Sequence, residues 1–391
     1  MLEASPTKHL HVACALIERD GLVLAAQRSA AMTLPLKWEF PGGKLEPGES
    51  PETCLQRELL EELGVAAIVS RPLPRHTHSY ESFTVTLYPF VCTIVSGDIS
   101  LHEHAAITWL PPNGLQVLDW AEADWPIIDE YQRSFITRLK SFPLFDSHFH
   151  IIDRQFPLVP NNGFLPDDLT SSDYLLKVSG YDLRGGAVVS GSFQAFDQSY
   201  LLDALKTLGP CFVGVTQLPV TASDEEILTL AEAGVRAVRF NRKRGGSEDV
   251  RYLDAMARRV HELAGWHVEL YVDSRELESL FDTLAALPAV SIDHLGLSKE
   301  GLGTLLRLAE RGVRVKATGF GRVDFDVRSA LKDLFNANPA ALMFGTDMPS
   351  TRAPRPYDDN DFLLVADTLG DTALRAVFCD NALEFYRILP P

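Results

Sequence analysis

Three glutamates in the N-terminal third of the chain could share one helix face. Glu58, Glu61 and Glu62 lie at positions i, i+3 and i+4 of the segment 51–63, which has proline near its start and glycine just past its end. Carboxylates crowded in this way repel one another, and their oxygens are the ligands that Mg²⁺ accepts in proteins. A divalent cation held there, Mg²⁺ or Mn²⁺, would bridge diphosphate oxygens and activate a bound water. The alternative interpretation is a solvated acidic helix face.

The loop before this helix and the helix itself follow a fixed spacing. Residues 43–65 read GKLEPGESPETCLQRELLEELGV. The segment places Gly43, Glu49, the pair Arg57-Glu58, the pair Glu61-Glu62 and Gly64 at set intervals. Gly42 and Gly43 would let the backbone approach a metal or a phosphate closely. This pattern matches the Nudix box, and the run LKWEFPGGKLEPGE (36–49) resembles the MutT branch of the Nudix superfamily.

The resemblance to the MutT branch, over about residues 8 to 135, implies roles for individual residues. The metal ligands would be the Gly43 carbonyl, Glu58, Glu61, Glu62 and Glu103, with Glu58 and Glu61 also catalytic, while Arg28 and Lys44 would contact phosphate or nucleotide and Asp124 would read the base. For Glu103 and Asp124, an ordinary surface acid is the alternative. The implied reaction is attack of metal-activated water on a nucleoside triphosphate, of oxidised purine or pyrimidine type, giving a monophosphate and pyrophosphate.

A second group of polar residues ends the strands of the C-terminal two thirds. Eight short apolar strands alternate there with helical segments, and in a parallel (β/α)₈ barrel the active site forms where the strands end. His148 and His150 end the first strand and point the same way, because they are two residues apart. The polar residues at the other strand ends are Ser192, Arg239, Tyr271, His294, Arg322 and Asp347.

This set of strand ends resembles the amidohydrolase superfamily. The runs VRFN, LYVD, IDHLG, VKATG and GTDMP are most similar to its metal-independent branch, typified by 2-pyrone-4,6-dicarboxylate lactonase, over about residues 143 to 388. The resemblance implies a general base, Asp347, and a carbonyl-polarising or oxyanion-stabilising set, His148, His150 and His294. Arg239 and Arg322 would bind substrate carboxylates, and Tyr271 and Ser192 would complete the pocket. The expected substrate is a carboxylated lactone or a related cyclic ester or amide.

The same strand ends bear on whether the barrel holds a metal. Metal-using relatives supply a histidine at strand five, where Tyr271 stands here, and His267 is expected deep in the barrel. Arg239 on strand four would repel a nearby cation. We therefore expect a metal-free barrel, with Zn²⁺ held by the two strand-one histidines and Asp347 as the alternative. A structural ion pair is the alternative role for Arg239.

Two different patterns of secondary structure along the chain must position these residues. Up to about residue 140, a hairpin at Arg19-Asp20-Gly21, a loop rich in proline and glycine, the helix at 51–63 and later strands indicate an α+β unit. Beyond it, alternating strands and helices indicate an α/β unit. The predicted architecture is a Nudix α/β/α sandwich at 1–138 followed by an amidohydrolase-type (β/α)₈ TIM barrel at 143–391.

Composition limits the partners and the compartment. The formal charge of −17 argues against nucleic acid polymers and anionic membranes, and no apolar run approaches a membrane span. Five widely spaced cysteines and the lack of a signal pattern lead us to expect a cytoplasmic protein with small-molecule substrates, and a homo-oligomer stays open. The leading interpretation is a bifunctional hydrolase. The alternatives are a Nudix enzyme with a catalytically silent, ligand-binding barrel, and a nucleotide sensor, which the intact box disfavours.

Overall fold

The chain divides into two compact units in this computed structural model. The structure describes residues 8–19 and 22–388, and the units comprise Met1–Arg138 and Leu139–Pro391. Asp20 and Gly21 of the predicted hairpin turn lie outside the described residues, but the chain on either side pairs in antiparallel fashion. Within the described ranges, no helix has both the length and the apolar character needed to cross a membrane.

The N-terminal unit is built on a mixed sheet. Its strands are β1 (Lys8–Arg19), β2 (Leu22–Gln27), β3 (Trp38–Glu39), β4 (Gly42–Lys44), β5 (Ala66–Pro72), β6 (His76–Ser79), β7 (Phe83–Ser96) and β8 (Ala106–Leu110). The long strand β1 pairs in parallel with β7 and in antiparallel fashion with β2 and β4. Because β4 carries the glycine loop, this pairing fixes the loop to the centre of the sheet.

Two helices cover the two faces of this sheet. The helix α1 (Pro51–Leu63) packs against one core, which includes Ala13 and Ala15 of β1, and α2 (Trp125–Leu139) packs against another, which includes Cys14 and Leu16. Successive residues of β1 therefore face opposite layers, as the two-residue period of a strand requires. The α/β/α sandwich predicted from the sequence is confirmed.

Local signals explain why α1 begins and ends where it does. The Ser50 side chain caps the helix by accepting a hydrogen bond from the Thr53 N–H, and Pro51 occupies the first turn, where its missing N–H costs nothing. Gly64 ends the helix with a φ of 69°, in the left-handed region that glycine adopts easily. The helix therefore occupies the predicted residues and holds its glutamates beside the glycine loop.

The C-terminal unit is a barrel of parallel strands. These are β9 (Pro143–Phe149), β10 (Asp182–Val189), β11 (Phe212–Thr216), β12 (Val235–Asn241), β13 (His267–Tyr271), β14 (Val290–Ile292), β15 (Arg314–Ala317) and β16 (Leu342–Phe344). Each strand lies beside its neighbour in sequence. The last strand returns to the first, because the Asp347 N–H donates to the His148 carbonyl at 2.7 Å and the His150 N–H donates to the Met348 carbonyl at 2.8 Å. The predicted TIM barrel is confirmed.

Helices follow the strands around the barrel. They are α3 (Ser171–Lys177), α4 (Ser199–Leu208), α5 (Asp224–Glu232), α6 (Leu253–Ala264), α7 (Leu277–Ala286), α8 (Leu302–Glu310), α9 (Val327–Ala337), α10 (Asp359–Leu369), α11 (Asp371–Arg375) and α12 (Asn381–Tyr386). The last of them reaches the barrel interior, where the Tyr386 hydroxyl donates to Glu269 Oε1 at 2.6 Å. The charged group that it meets on β13 belongs to a buried polar layer beneath the mouth.

Candidate functional sites

The predicted carboxylate face of α1 is partly occupied by its own arginine. Arg57 Nη1 lies 2.8 Å from Glu58 Oε1 and 3.4 Å from Glu61 Oε2, and Arg57 Nη2 lies 2.9 Å from Glu49 Oε2. Glu61 is exposed, whereas Glu62 turns inward and is buried. In the part of the chain that the structure describes, the three helix carboxylates do not form a group whose ligand atoms all lie within 4.8 Å of one another. Glu58 and Glu62 are the two that face the glycine loop.

The glycine loop brings main chain directly against these two carboxylates. A Cβ atom added to Gly43 would lie only 2.0–2.3 Å from the Cδ and both oxygens of Glu58. The Gly42 N–H donates to Glu62 Oε2 at 3.3 Å. No side chain larger than hydrogen fits between the loop at Gly43 and Glu58 as they stand, which is the close approach for which glycine is suited.

Glu62 is a carboxylate surrounded by other carboxylates. Burial raises the pKa of Glu62 to about 7; the charge of His104 opposes this shift, and repulsion from Glu58, Glu39 and Glu103 adds to it. Such a group is stabilised as an anion when a cation lies beside it. The oxygens of Glu58 and Glu62, together with the Gly43 carbonyl, form the hard donor set that Mg²⁺ prefers, so the residues present fit a divalent cation.

Asp124, the predicted base-reading residue, is buried. Its Oδ1 accepts a hydrogen bond from the Phe40 N–H at 3.3 Å. Burial raises the pKa of Asp124 well above its usual range, and the negative charge of Glu39 adds to the shift. A protonated carboxyl group can both donate and accept a hydrogen bond, which makes it suited to reading the edge of a base.

Arg28 belongs to an ion pair that the sequence analysis missed. Arg28 Nη1 contacts Glu39, whose other oxygen lies 3.2 Å from His104 Nε2. Glu39 ends β3 shortly before the glycine loop. This closeness to the loop was the one feature of the sequence that could have indicated a role for Glu39 in the site. The other two predicted residues of this site, Lys44 and Glu103, are exposed. Arg28 is therefore already held by a carboxylate, while these two are accessible from solvent.

Three histidines surround Asp347 at the barrel mouth. The Nε2 atoms of His148, His150 and His294 lie 3.9, 3.8 and 3.9 Å from Asp347 Oδ1, and all four side chains are buried. These separations are too long for direct hydrogen bonds and leave room for a bridging atom. Among the described residues, neither Asp347 Oδ1 nor His148 Nε2 has a hydrogen-bond partner. The fold thus gathers four residues that are up to 199 positions apart in sequence.

The histidines of this group are neutral in the folded chain. Burial lowers the pKa of His150 to about 3, and it lowers those of His148 and His294 well below their usual range. His150 Nδ1 lies 2.6 Å from the Val189 carbonyl and must donate to it, so the Nε2 of His150 carries a lone pair. His294 Nδ1 lies 2.9 Å from Thr318 Oγ1, and either partner can be the donor.

Asp347 combines an unusual backbone conformation with one cationic partner. Its φ of 57° lies in the left-handed region that residues other than glycine seldom adopt. Asp347 Oδ2 accepts a hydrogen bond from Arg322 Nε at 2.8 Å. Burial raises the pKa of Asp347, and the charge of Arg322 opposes that shift. One carboxylate oxygen is therefore paired while the other faces the histidines, which is an arrangement suited to a general base.

Arg239 is largely satisfied by the protein itself. Its Nε and Nη2 donate to Asp293 Oδ2 at 3.1 and 2.7 Å, and its Nη1 donates to the Ser190 carbonyl at 2.7 Å. The guanidinium carbon lies 5.3 Å from the ring centroid of Tyr271. Since a guanidinium group has five N–H donors, Arg239 keeps two for a ligand. Both the carboxylate-binding role and the ion-pair role considered from the sequence are thus compatible with its contacts.

A cavity opens at the barrel mouth, with about 320 Å³ of empty space that includes the part open to solvent. Its polar lining comprises His150, Ser192, Arg239, Asn241, Arg244, Tyr271, His294, Arg322, Asp347, Thr351 and Arg352. Arg244 and Arg352 were not predicted from the sequence; they follow β12 and β16 in the runs NRKR and PSTR. Arg352 donates to Ser192 Oγ at 3.1 Å, and its Nε is buried without a hydrogen-bond partner in the described chain. These arginines make the mouth strongly cationic.

The barrel also contains side chains that could bind a metal. Ligand atoms of His148, His150 and Asp347 lie within 4.8 Å of one another, and so do those of His148, Asp293 and His294. Imidazole nitrogens with a carboxylate oxygen are a donor set that Zn²⁺ accepts. However, Asp347 and Asp293 are each paired with an arginine, so their charge is compensated within the protein. The donor atoms fit zinc, but the local charge is better suited to an anionic ligand.

The two folds and their centres define a two-domain hydrolase. A model of the NUDIX domain matches residues 7–131, and a model of the amidohydrolase family matches residues 145–388. The chain therefore belongs to the Nudix family in its N-terminal domain and to the amidohydrolase family in its C-terminal domain. Both resemblances stated from the sequence are confirmed.

Individual relatives match one domain each. The CTP pyrophosphohydrolase of Escherichia coli (strain K12) is 37% identical over 124 residues, which are 32% of this chain and 92% of that protein. A 2-pyrone-4,6-dicarboxylate hydrolase of Comamonas testosteroni is 31% identical over 156 residues, which are 39% of this chain and only 51% of that protein. A crystal structure from Pseudomonas putida, provisionally assigned as a 2-pyrone-4,6-dicarboxylic acid hydrolase, is 27% identical with a TM-score of 0.54 and covers 62% of this chain and 97% of that one.

Proposed function

We propose that the N-terminal domain hydrolyses a nucleoside triphosphate to a monophosphate and pyrophosphate with Mg²⁺ or Mn²⁺. The observation that carries this proposal is the buried carboxylate of Glu62, which is opposed by neighbouring carboxylates. Glu58, Glu62 and the Gly43 carbonyl would hold the cation, with Glu61 and Glu103 as further ligands. When bound, the cation supplies neutralisation of the diphosphate charge and acidification of a water molecule.

CTP is the first substrate to test, and oxidised purine triphosphates are the second. The E. coli relative named for CTP aligns over 92% of its own length. Asp124, whose pKa is raised well above its usual range by burial, would offer both a donor and an acceptor to the base in its protonated form. Lys44, exposed directly after Gly43, would neutralise phosphate charge, whereas Arg28 would have to share its contact with Glu39 to do so.

The test uses the full chain stripped of metal, with pyrophosphate release measured on CTP and 8-oxo-dGTP as Mg²⁺ is added back. We expect turnover only with the metal, and we expect Glu58→Gln to lower kcat at least 100-fold. Glu52→Gln is the matched control, because Glu52 is exposed on the first turn of the same helix. The proposal fails if a broad panel of nucleoside triphosphates gives no turnover, or if Glu58→Gln behaves like the control.

We further propose that the barrel hydrolyses a lactone, or a related cyclic ester or amide, that carries at least one carboxylate. The observation that carries this proposal is Asp347 Oδ1, which has no hydrogen-bond partner among the residues that the structure describes and faces three neutral imidazoles. The cationic lining of the cavity at the mouth would bind the substrate carboxylates by charge-assisted hydrogen bonds.

In this reaction the chain's own residues would supply the chemistry without a metal. Asp347 would take a proton from water as that water attacks the carbonyl carbon, and the imidazoles that present an N–H would stabilise the oxyanion that forms. His150, whose Nε2 carries a lone pair, would instead accept a hydrogen bond. The ring C–O or C–N bond then breaks, and the proton is delivered to the leaving oxygen or nitrogen. Arg322 would keep the other oxygen of Asp347 in place during both steps.

The test measures ring opening of a panel of carboxylated lactones, including 2-pyrone-4,6-dicarboxylate, by full-length protein of known metal content. We expect activity that a chelator does not remove and that Asp347→Asn lowers at least 1,000-fold. Asp282→Asn, on the exposed side of α7, is the control for loss of a carboxylate. If Asp347→Asn retains activity, or if activity follows zinc content, the metal-free proposal is wrong. Binding of the panel without turnover would favour the ligand-binding alternative.

A further inference from the structure

A buried layer of charges lies inside the barrel beneath the mouth. Lys316, Glu269 and Asp293 are all completely buried. Lys316 Nζ lies 2.5 Å from Glu269 Oε2 and 3.8 Å from Asp293 Oδ1. Barrel interiors are usually filled by branched apolar side chains, and burial of several ions is costly. None of these three groups acts on the substrate in the proposed lactone hydrolysis, so their presence needs another explanation.

Lys316 also contacts a histidine of the mouth. Its Nζ lies 3.3 Å from His148 Nδ1, in hydrogen-bonding geometry. An ammonium group has only donors, so the imidazole nitrogen must accept this bond. Burial, followed by the charge of Lys316, lowers the pKa of His148 well below its usual range, so the ring carries one proton. That proton is left to Nε2, because Nδ1 is occupied as an acceptor.

One neighbour could favour the opposite arrangement. Asp293 Oδ1 lies 3.4 Å from His148 Nδ1, and it would accept a proton from that nitrogen if the proton were there. The contact does not have hydrogen-bonding geometry, since Asp293 Oδ1 has no hydrogen-bond partner in the described chain. Asp293 instead binds Arg239 through its other oxygen. The lysine contact therefore decides which nitrogen of His148 is protonated.

The lysine is itself held in place. Glu269 accepts hydrogen bonds from Lys316 on one oxygen and from the Tyr386 hydroxyl, at 2.6 Å, on the other. His267 Nε2 lies 3.1 Å from the same carboxylate. Burial would raise the pKa of Glu269, but the charge of Lys316 and the bond from His267 hold it at about 2. The ammonium group is thus fixed between a permanent anion and His148.

The two histidines of the HxH pair consequently differ. His150 donates from Nδ1 to a backbone carbonyl and presents a lone pair at Nε2, whereas His148 presents an N–H at Nε2. We propose that Lys316 is a positioning residue that holds His148 as an Nε2–H donor to the reacting oxygen in front of Asp347. The same contact opposes a metal at this pair, because a metal would need the lone pair of His148 Nε2. The inference on catalysis rests on the lactonase-type function proposed above.

The first test reads the tautomer directly and needs no substrate. In the full chain labelled with ¹⁵N-histidine, His148 is assigned by comparison with His148→Gln. We expect the ¹⁵N shifts of His148 to show protonation at Nε2 and a free Nδ1 at neutral pH. Protonation at Nδ1 would overturn the inference, and it would do so whether or not the barrel hydrolyses lactones.

The second test separates positioning from folding. Lys316→Met alone leaves Glu269 buried without its cation, so the charge-balanced pair Lys316→Met with Glu269→Gln is made as well. For a lactone that the wild type hydrolyses, we expect the double variant to lose about 100-fold in kcat with KM within twofold, as for loss of a single transition-state donor. Its His148 spectrum should shift towards the Nδ1–H form, and its affinity for Zn²⁺ should rise at least tenfold.

The control for this series is Lys332→Met, which removes an exposed lysine of α9 in the same domain. Retention of kcat by a folded double variant would overturn the positioning role. So would a loss confined to KM, or an unchanged His148 spectrum. A wild type that shows the Nε2–H tautomer but hydrolyses no lactone would instead count against the proposed function alone.

Discussion

Gly43→Ala should separate the activity of the Nudix domain from its stability. An alanine Cβ at this position would lie 2.0 Å from Glu58 Cδ and 2.2 and 2.3 Å from its two oxygens, whereas an ordinary contact begins at 3.4 Å. The difference means that the carboxylate must retreat by about 1.1 to 1.4 Å. Glu58 is a flexible side chain with a half-buried carboxylate, so the protein can accommodate this movement at little cost in folding free energy.

The same movement should be severe for catalysis. Mg²⁺ holds its oxygen ligands at about 2.0–2.1 Å in a nearly rigid octahedron, so a ligand displaced by more than 1 Å no longer coordinates it. Misplacement of a reacting group by 1 Å can cost about 100-fold in rate, which corresponds to about 2.7 kcal/mol. We therefore expect kcat/KM for CTP to fall at least 100-fold, with a clear rise in the Mg²⁺ concentration required for half-maximal activity.

Gly48→Ala is the matched control within the same loop. A Cβ at Gly48 would meet no atom within 4 Å, but its φ of +85° is unfavourable for alanine and should cost about 1–2 kcal/mol. The control should thus lower the thermal unfolding midpoint while keeping its activity, and Gly43→Ala should do the reverse. Pyrophosphate release and calorimetry measure the two quantities. If Gly43→Ala keeps half of the wild-type activity at the same Mg²⁺ requirement, the assignment of Glu58 as a ligand beside the loop is refuted.

Three further outcomes are expected. The folded pKa of Glu62, about 7, lies above its ordinary 4.5, so the stabilisation from this carboxyl is complete below pH 4.5 and lost as the pH rises through 7. Metal-free wild-type protein should therefore lose stability between pH 5 and pH 8 more steeply than the Glu62→Gln variant does. Mg²⁺ should restore part of this loss. Equal slopes of stability against pH for the two proteins, measured by calorimetry, would contradict the prediction. Arg352→Met should raise KM for a carboxylated lactone about tenfold with kcat within twofold, whereas Arg311→Met, at an exposed site, should leave both unchanged. A chelator should abolish CTP hydrolysis but spare lactone hydrolysis in the same sample, and parallel loss of both activities would refute the metal-free barrel.

The sequence was most informative where structure is set by neighbouring residues. Proline at 51, serine at 50 and glycine at 64 are local start and stop signals, and α1 occupies the predicted residues. The barrel strands were recognisable because each is a short apolar run between helical segments. The strand ends then placed His148 and Asp347 at the mouth, since parallel strands in a barrel share one polarity.

The contacts within the sites could not be derived in this way. Helical spacing allows Arg57 to pair with a neighbouring carboxylate such as Glu61, but nothing local indicates that Glu62 turns towards the core instead of sharing the exposed face of Glu61. Side-chain rotamers and burial depend on the strand that packs against the helix, which comes from elsewhere in the chain. Helical spacing therefore predicted three neighbouring glutamates correctly but not their unequal environments.

Interior partners were the hardest to foresee. Lys316 contacts His148 across 168 positions of sequence, and it lies in the short strand RVKA, whose sequence does not show which buried group the lysine meets. Arg352 lies in a loop beyond the end of β16, where its side chain donates hydrogen bonds to Asn161 and Ser192 from distant parts of the chain. Long-range pairing of this kind forms only when the barrel closes. Inspection of the strand ends therefore predicts the residues at the mouth but not the interior residues that hold them in place.

The Nudix site and the barrel site carry opposite local charge within one acidic chain. Around α1 the glutamates outnumber their single arginine, so the proposed cation would complete this site, and a phosphate substrate would bind through it. In the barrel, Arg239, Arg322 and Lys316 already compensate the buried carboxylates. Arg244 and Arg352 then leave the mouth in excess of positive charge, which would attract the proposed anionic substrate without a metal. The formal charge of −17 conceals this division, because net charge describes the whole surface and catalysis depends on the local field.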